Sequence, residues 1–144
     1  MGISFSEAVE VSCAHCGESF VEQAWRVVDA GERPDLRLLI LMGRLNVACC
    51  PACGVEGPLP VPLLYHDAAH EAMLLALPAG VLAEAAIHPL ADPLVEALHR
   101  AIPPGQRRPY LLNLQLAGSM AGLAAEISSW GGQALGMGGA GGSS

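Results

Sequence analysis

Apolar and polar positions alternate through the start of the chain, and that alternation predicts strands. From Ile3 to Cys13, Phe5, Val9 and Val11 stand among polar residues, and from Phe20 to Val28 the apolar set is Val21, Trp25, Val27 and Val28. A period near two places such residues on one face of a strand. Gly31-Glu32-Arg33-Pro34 reads as a turn. Pro34 has its φ already set for a helix, so it suits the first turn of one running from about Asp35 to Leu45, with Gly43 in the last turn. A short strand is expected at Asn46 to Cys49 and a longer one from Val55 to Tyr65. Prolines at 58, 60 and 62 alternate within it. Alternate residues of a strand point their N–H groups to the same side, so all three prolines remove donors from one edge. That predicts an edge strand with a blocked outer edge, carrying Leu59, Val61, Leu63 and Tyr65 on its other face. Glu71 to Leu77 predicts a last strand, ended by Pro78-Ala79-Gly80.

The period then changes to that of a helix. Asp92 is a capping residue, Pro93 fits the first helical position, and Leu94, Val95, Leu98, Ala101 and Ile102 follow at helical spacing before Pro103-Pro104. A longer helix is expected from Pro109 to Ser129. At about 100° per residue, Leu112, Leu114, Leu116, Ala117, Met120, Ala121, Leu123, Ala124 and Ile127 spread over an arc wider than one sheet face covers. Part of that arc is expected to meet the preceding helix, and part a protein partner or a second copy. From Gly131 onward glycine dominates, as in a flexible tail. The expected organisation is a metal-binding β domain at 1–78, a linker at 79–91, a helical extension at 92–129 and a glycine-rich disordered tail at 130–144. The fold class is α+β: a zinc-ribbon-like antiparallel sheet with one inserted short helix, followed by a helical pair.

Composition narrows the function classes. Seven basic residues, all arginine, stand against fourteen carboxylates, a net charge of −7. Nucleic-acid and anionic-membrane surfaces draw affinity from basic residues, so neither partner is expected. The apolar stretches Met73 to Ile87 and Tyr110 to Ile127 are interrupted by Pro78, Glu84, Asn113, Gln115, Ser119 and Glu126, so no membrane-spanning helix is expected. Glu7 and Glu10 stand where a signal peptide needs a basic start and an apolar core, which makes a soluble cytoplasmic protein the expectation.

The chemistry lies in the cysteines. Cys13-Ala14-His15-Cys16-Gly17 and Cys50-Pro51-Ala52-Cys53-Gly54 are two C-x-x-C-G units. Two intervening residues let a tight turn aim both sulfurs at one point, and two such turns complete a tetrahedral thiolate cage for Zn2+. Cys13, Cys16, Cys50 and Cys53 are therefore the candidate metal ligands. Iron held as in rubredoxin uses the same pairing, and a dithiol couple at Cys50 and Cys53 or structural disulfides are further alternatives. The low aromatic content of 4% speaks against the first of these. Gly54 and a proline-rich segment, where a redox motif would open a helix, speak against the second. Cys49 is expected to be a small buried hydrophobe beside the site. His15 lies within a knuckle and is not needed as a ligand. His66, Asp67 and His70 read as ordinary turn residues.

The run from Val11 through Cys16-Gly17, then Gly43-Arg44-Leu45-Asn46 leading to Cys50-Pro51-Ala52-Cys53-Gly54, then Leu64-Tyr65-His66-Asp67, resembles the CpXC domain of bacteria and archaea. The likeness covers about residues 3–78, and Ile102 to Leu112 looks like a helical extension that some members carry. Ala14 stands where that family usually has proline, a position that stiffens the turn and supplies no ligand. The resemblance implies a metal-binding module and no reaction. A closed four-thiolate site has no position for substrate, so the expected function is a non-catalytic zinc-binding interaction module. The alternatives are a redox or redox-sensing protein using Cys50 and Cys53, and a nucleic-acid-binding zinc ribbon.

Overall fold

The computed structural model describes residues 3–78 and 84–135, with the side chains of 84–86, 88 and 131–135 left aside. Of the linker expected at 79–91, residues 79–83 lie outside the described residues and 84–91 are helical; of the tail expected at 130–144, residues 136–144 lie outside them and 130–135 are helical. Two strands open the fold, β1 (Phe5–Ser12) and β2 (Ser19–Asp29), paired antiparallel. Helix α1 (Pro34–Leu41) follows, with Pro34 at its start. It ends where glycine is needed: Gly43 has φ +70°, its N–H donates to the Ile40 carbonyl at 3.0 Å, and the Arg44 N–H donates to the Leu39 carbonyl at 2.8 Å. This paired closure satisfies carbonyls that the helix end would otherwise leave open.

Strand β3 (Val47–Cys49) and strand β4 (Glu56–Pro58) form a separate two-stranded ribbon. Strands β5 (Leu63–Asp67) and β6 (Ala72–Ala76) return to the main sheet, whose order is β1-β2-β5-β6-β7, with β7 at Gln115–Gly118. The single edge strand expected from Val55 to Tyr65 is therefore two strands in two sheets. Its second half is the centre of the main sheet rather than an edge. Pro60 and Pro62 lie in the connection between them, where a missing N–H interrupts no ladder.

The α+β class is borne out, with one difference in the sheet. It is mixed: β1–β2 and β5–β6 are antiparallel, whereas β2–β5 and β6–β7 are parallel. Helix α2 (Glu84–Ala101) begins well before Asp92 and runs through Pro89 and Pro93. The long helix expected from Pro109 to Ser129 is three pieces: a 3₁₀ turn at Pro109–Leu112, strand β7, and helix α3 (Met120–Leu135). Two glycines explain the break. Gly118 has φ +86°, and at Gly122 a Cβ would stand 2.1 Å from the Ala117 carbonyl oxygen. Ser119 then caps α3, its Oγ accepting the Gly122 N–H at 3.0 Å.

Each face of the main sheet carries its own core. Leu63, Tyr65 and Leu74 point to the side covered by Leu36 and Ile40 of α1 and by Leu123 and Ile127 of α3. Leu64, Met73 and Leu75 point to the side covered by Leu94 and Leu98 of α2, with Ile102 and Leu111. The apolar face of α3 is thus largely spent inside the chain, while Leu112 and Leu116 are exposed at 84% and 53%.

Asn46 ties the ribbon to the sheet. Its side-chain oxygen accepts the Trp25 N–H at 2.8 Å, its amide nitrogen donates to the Trp25 carbonyl at 2.9 Å, and its own carbonyl accepts the Leu59 N–H at 2.8 Å. The amide thus imitates a strand partner for β2 beyond the stretch that β5 pairs, which begins at Val27. Asn46 does so at φ +56°, a conformation that asparagine tolerates better than most residues. Replacing Asn46 with Ala should cost about 2–4 kcal/mol in urea unfolding, through unpaired groups on Trp25 and the left-handed backbone. Asn46→Gly should recover about 1 kcal/mol of that by relieving the backbone share. A loss in Asn46→Ala below about 0.5 kcal/mol would show that the ribbon is not held this way.

Candidate metal centre

The two C-x-x-C-G units are the turns of two hairpins. The first joins β1 to β2, where Ser12 faces Ser19, and the second joins β3 to β4, where Cys49 faces Glu56. Their backbones follow one plan. The Cys13 N–H donates to the Glu18 carbonyl and the Gly17 N–H to the Cys13 carbonyl, both at 2.8 Å. In the second turn Cys50 bonds Val55 at 3.0 Å and Gly54 bonds Cys50 at 2.8 Å in the same sense. Gly17 and Gly54 hold φ of +81° and +79°, where a side chain would be strained. Below the turns a small core of Val11, Ala24, Ala48 and Leu59, with Phe20 and Val61 against it, packs one hairpin on the other. That packing brings the two tips together.

All four sulfurs of Cys13, Cys16, Cys50 and Cys53 lie within 4.8 Å of one another. Cys13 Sγ is 3.6 Å from Cys53 Sγ, and Cys16 Sγ is 3.6 Å from Cys50 Sγ. A tetrahedron with metal–sulfur bonds of about 2.3 Å has sulfur–sulfur edges of about 3.8 Å, so the donor set fits one tetrahedral ion. Among the described residues this is the one group of three or more His, Cys, Asp or Glu side chains that could hold a metal ion. His15 is not part of it; its backbone N–H instead donates to Cys13 Sγ at 3.4 Å. Cys50 is buried and Cys16 exposed, so the centre sits at the surface with one ligand rooted in the interior. An apolar cavity of ≈ 490 Å³ flanks Cys13 and Cys50, lined in part by Val11, Phe20, Val55 and Pro60.

The thiols do not ionise alike. Backbone N–H groups of Cys16 and His15 stabilise the Cys13 thiolate and bring its pKa down to about 6. At Cys53 the Val55 backbone pulls the other way from burial and the three neighbouring thiols, which together prevail and push it up to about 12. Cys16 is also raised: the Glu18 backbone lowers it, and desolvation with the Cys50 and Cys13 thiols outweighs that. Without a cation, one thiolate at this spacing opposes the formation of the next.

The remaining candidates fall elsewhere than expected. Cys49 is exposed, not buried; its thiol donates to the Gly54 carbonyl at 3.4 Å and is no part of the four-sulfur group. As residues alternate along β3, the buried place belongs to Ala48. His66 and Asp67 are buried residues of β5, and only His70 lies in the turn that follows. Asp67 accepts from Tyr65 Oη at 3.3 Å and from His70 Nδ1 at 3.0 Å, and His70 stacks on Trp130. His66 points to the other face, bonded to Asp29 and Tyr110, neither of which the sequence singled out. Their separation from His66 along the chain left no local pattern to find.

The family model described as CpXC protein matches residues 11–128. The chain belongs to this family. The CpXC match takes in both cysteine turns, β2 to β7 and the first half of α3, and extends well past residue 78, where the resemblance in the sequence ends. No curated protein and no solved structure matches the chain. Membership and the four clustered thiols are consistent with a metal-binding module. No helix among the described residues is long and apolar enough to cross a membrane.

Because the ligands bind as thiolates while the raised Cys16 and Cys53 thiols hold their protons in the metal-free chain, metal uptake must release protons. Apparent zinc affinity measured by chelator competition should fall by at least about tenfold per pH unit from about pH 8 to about pH 6. An affinity independent of pH over that range would contradict thiolate ligation.

Proposed function

We propose that this chain is a zinc-stabilised interaction module without catalytic activity, with Cys13, Cys16, Cys50 and Cys53 as the four ligands of one Zn2+. The convergence of four sulfurs from two matching hairpin turns carries the reading. Tetrahedral all-sulfur sets favour zinc or iron–sulfur chemistry, and a zinc site closed by four thiolates keeps no position for water or substrate. Bound metal would supply the charge that lets all four thiols deprotonate, and so would lock the ribbon against the β1–β2 hairpin in a zinc-ribbon-like arrangement. A reducing compartment such as the cytoplasm suits four free thiols.

A dithiol couple at Cys50 and Cys53 has less support, since the 3.6 Å sulfur neighbours lie across the two knuckles rather than within one. The net charge of −7 disfavours a nucleic-acid surface. For a protein partner or self-association, Leu112 and, within β7, Leu116 are exposed apolar positions beside the packed α3.

Elemental analysis of the purified chain should give one zinc per chain and no iron. Cys50→Ser together with Cys53→Ser should abolish it. Full zinc content in that double variant, or a coloured protein with thiolate-to-iron absorption, would overturn the assignment. Ellman titration should show Cys49 alone reactive in the zinc-loaded protein and all five cysteines reactive after chelation. Rapid modification of Cys50 or Cys53 in the loaded protein would favour the redox reading.

A further inference from the structure

Away from the cysteines, a cavity of ≈ 570 Å³ lies where β2 and β5 meet the segment before β7, with Ile3, Asp29, His66, Glu71, Arg108 and Tyr110 in its lining. Its size is in the range of small-molecule sites, about 300–1,000 Å³. Its floor is a hydrogen-bonded chain of three side chains. His66 Nδ1 lies 3.0 Å from Asp29 Oδ1, and His66 Nε2 lies 2.6 Å from the Tyr110 hydroxyl. Asp29 and His66 are only 7% and 3% exposed. A carboxylate accepts and does not donate, so Nδ1 carries the proton. In the neutral imidazole Nε2 then accepts from Tyr110. The near-parallel stacking of the two rings, 6° between planes, holds this arrangement.

The order of donation determines what the cavity presents. Tyr110 has committed its proton to His66 and shows only lone pairs. Burial, with Asp29 and Glu71 nearby, raises the Tyr110 pKa, which keeps that proton in place. Asp29 Oδ2 receives no hydrogen bond among the described residues, although its partner oxygen is engaged. Asp29 lines the cavity, where a bound donor can satisfy this second oxygen. Glu71 adds a second carboxylate to the lining; it closes the turn between β5 and β6 at φ +49°, its N–H donating to the Ala68 carbonyl at 3.2 Å. Against these stands one cation, the exposed Arg108, so the lining carries net negative charge.

We propose that this cavity binds a small organic cation through a primary ammonium group, whose N–H bonds go to Asp29 Oδ2 and Tyr110 Oη and whose charge is balanced by Asp29 and Glu71. The site is independent of the metal centre.

The test is an amide-resolved NMR titration of the zinc-loaded full chain with n-butylammonium chloride, set beside sodium butyrate and n-butanol of the same length. Saturable shifts at Asp29, His66 and Tyr110 with n-butylammonium alone are expected. Tyr110→Phe should weaken binding about tenfold, the scale of one charge-assisted hydrogen bond, Glu71→Gln about tenfold through the lost charge, and Asp29→Asn more. Should Asp29→Asn fail to fold, the Glu71 and Tyr110 variants carry the test, since Glu71 lies in a turn and Tyr110→Phe keeps the ring that packs against the core. Absence of saturation, equal binding of butyrate or butanol, or unchanged affinity in both Glu71→Gln and Tyr110→Phe would overturn the proposal.

Discussion

Four sulfur atoms brought within 4.8 Å of one another set the main constraint on this molecule. Two unit charges about 4 Å apart repel by about 4 kcal/mol in a medium of effective dielectric constant 20, and four thiolates make six such pairs. The cluster is therefore tolerable as thiols, or as thiolates around a cation, and not as bare thiolates. Backbone N–H groups favour ionisation at Cys13, whereas at Cys53 burial and the three neighbouring thiols oppose it. The two hairpins are built to meet at this point, with the same turn, the same glycine conformation and a shared apolar base in Val11, Ala24, Ala48 and Leu59.

The ribbon that brings Cys50 and Cys53 is short and belongs to a different sheet from the hairpin that brings Cys13 and Cys16. Three strand residues on each side do not make a stable unit alone. The ribbon is held by the amide of Asn46 on Trp25, by the small core, and on our reading by metal. The larger part of the molecule rests on other forces. Buried leucines on both faces of β5 and β6, covered by α1 and α3 on one side and α2 on the other, form cores that reach no sulfur. The molecule thus joins a hydrophobically packed sheet to a tip where four thiols cluster.

What could be read beforehand follows from the range of the interactions involved. The knuckles were legible because their chemistry is local: four cysteines and two glycines fall within two short runs. The first two strands, and α1 with Pro34 at its start, were legible for the same reason. The prolines at 58, 60 and 62 misled, because their alternation fits a strand while in fact marking the crossing from ribbon to sheet. Of Leu112, Leu114 and Leu116 only the last lies in β7, and the helical spacing that follows at Met120 to Ile127 extends the expected helix back over all three. The break is marked by Gly118-Ser119. Parallel pairing of β2 with β5 and of β6 with β7 left no mark, since it is decided by helices crossing the sheet. The placement of His66 between Asp29 and Tyr110 is likewise a product of tertiary folding.

The central claim is that metal holds the tip while hydrophobic packing holds the sheet, and amide hydrogen exchange on the full chain with and without a zinc chelator tests it most directly. Removing zinc should strip protection from the N–H groups of Cys13, Gly17, Cys50 and Gly54, which close the two knuckles, and leave Leu64 and Leu75 in the paired centre of the sheet protected. Unchanged exchange at the knuckles after the metal is gone would contradict the account, as would loss of protection throughout the sheet at the same rate.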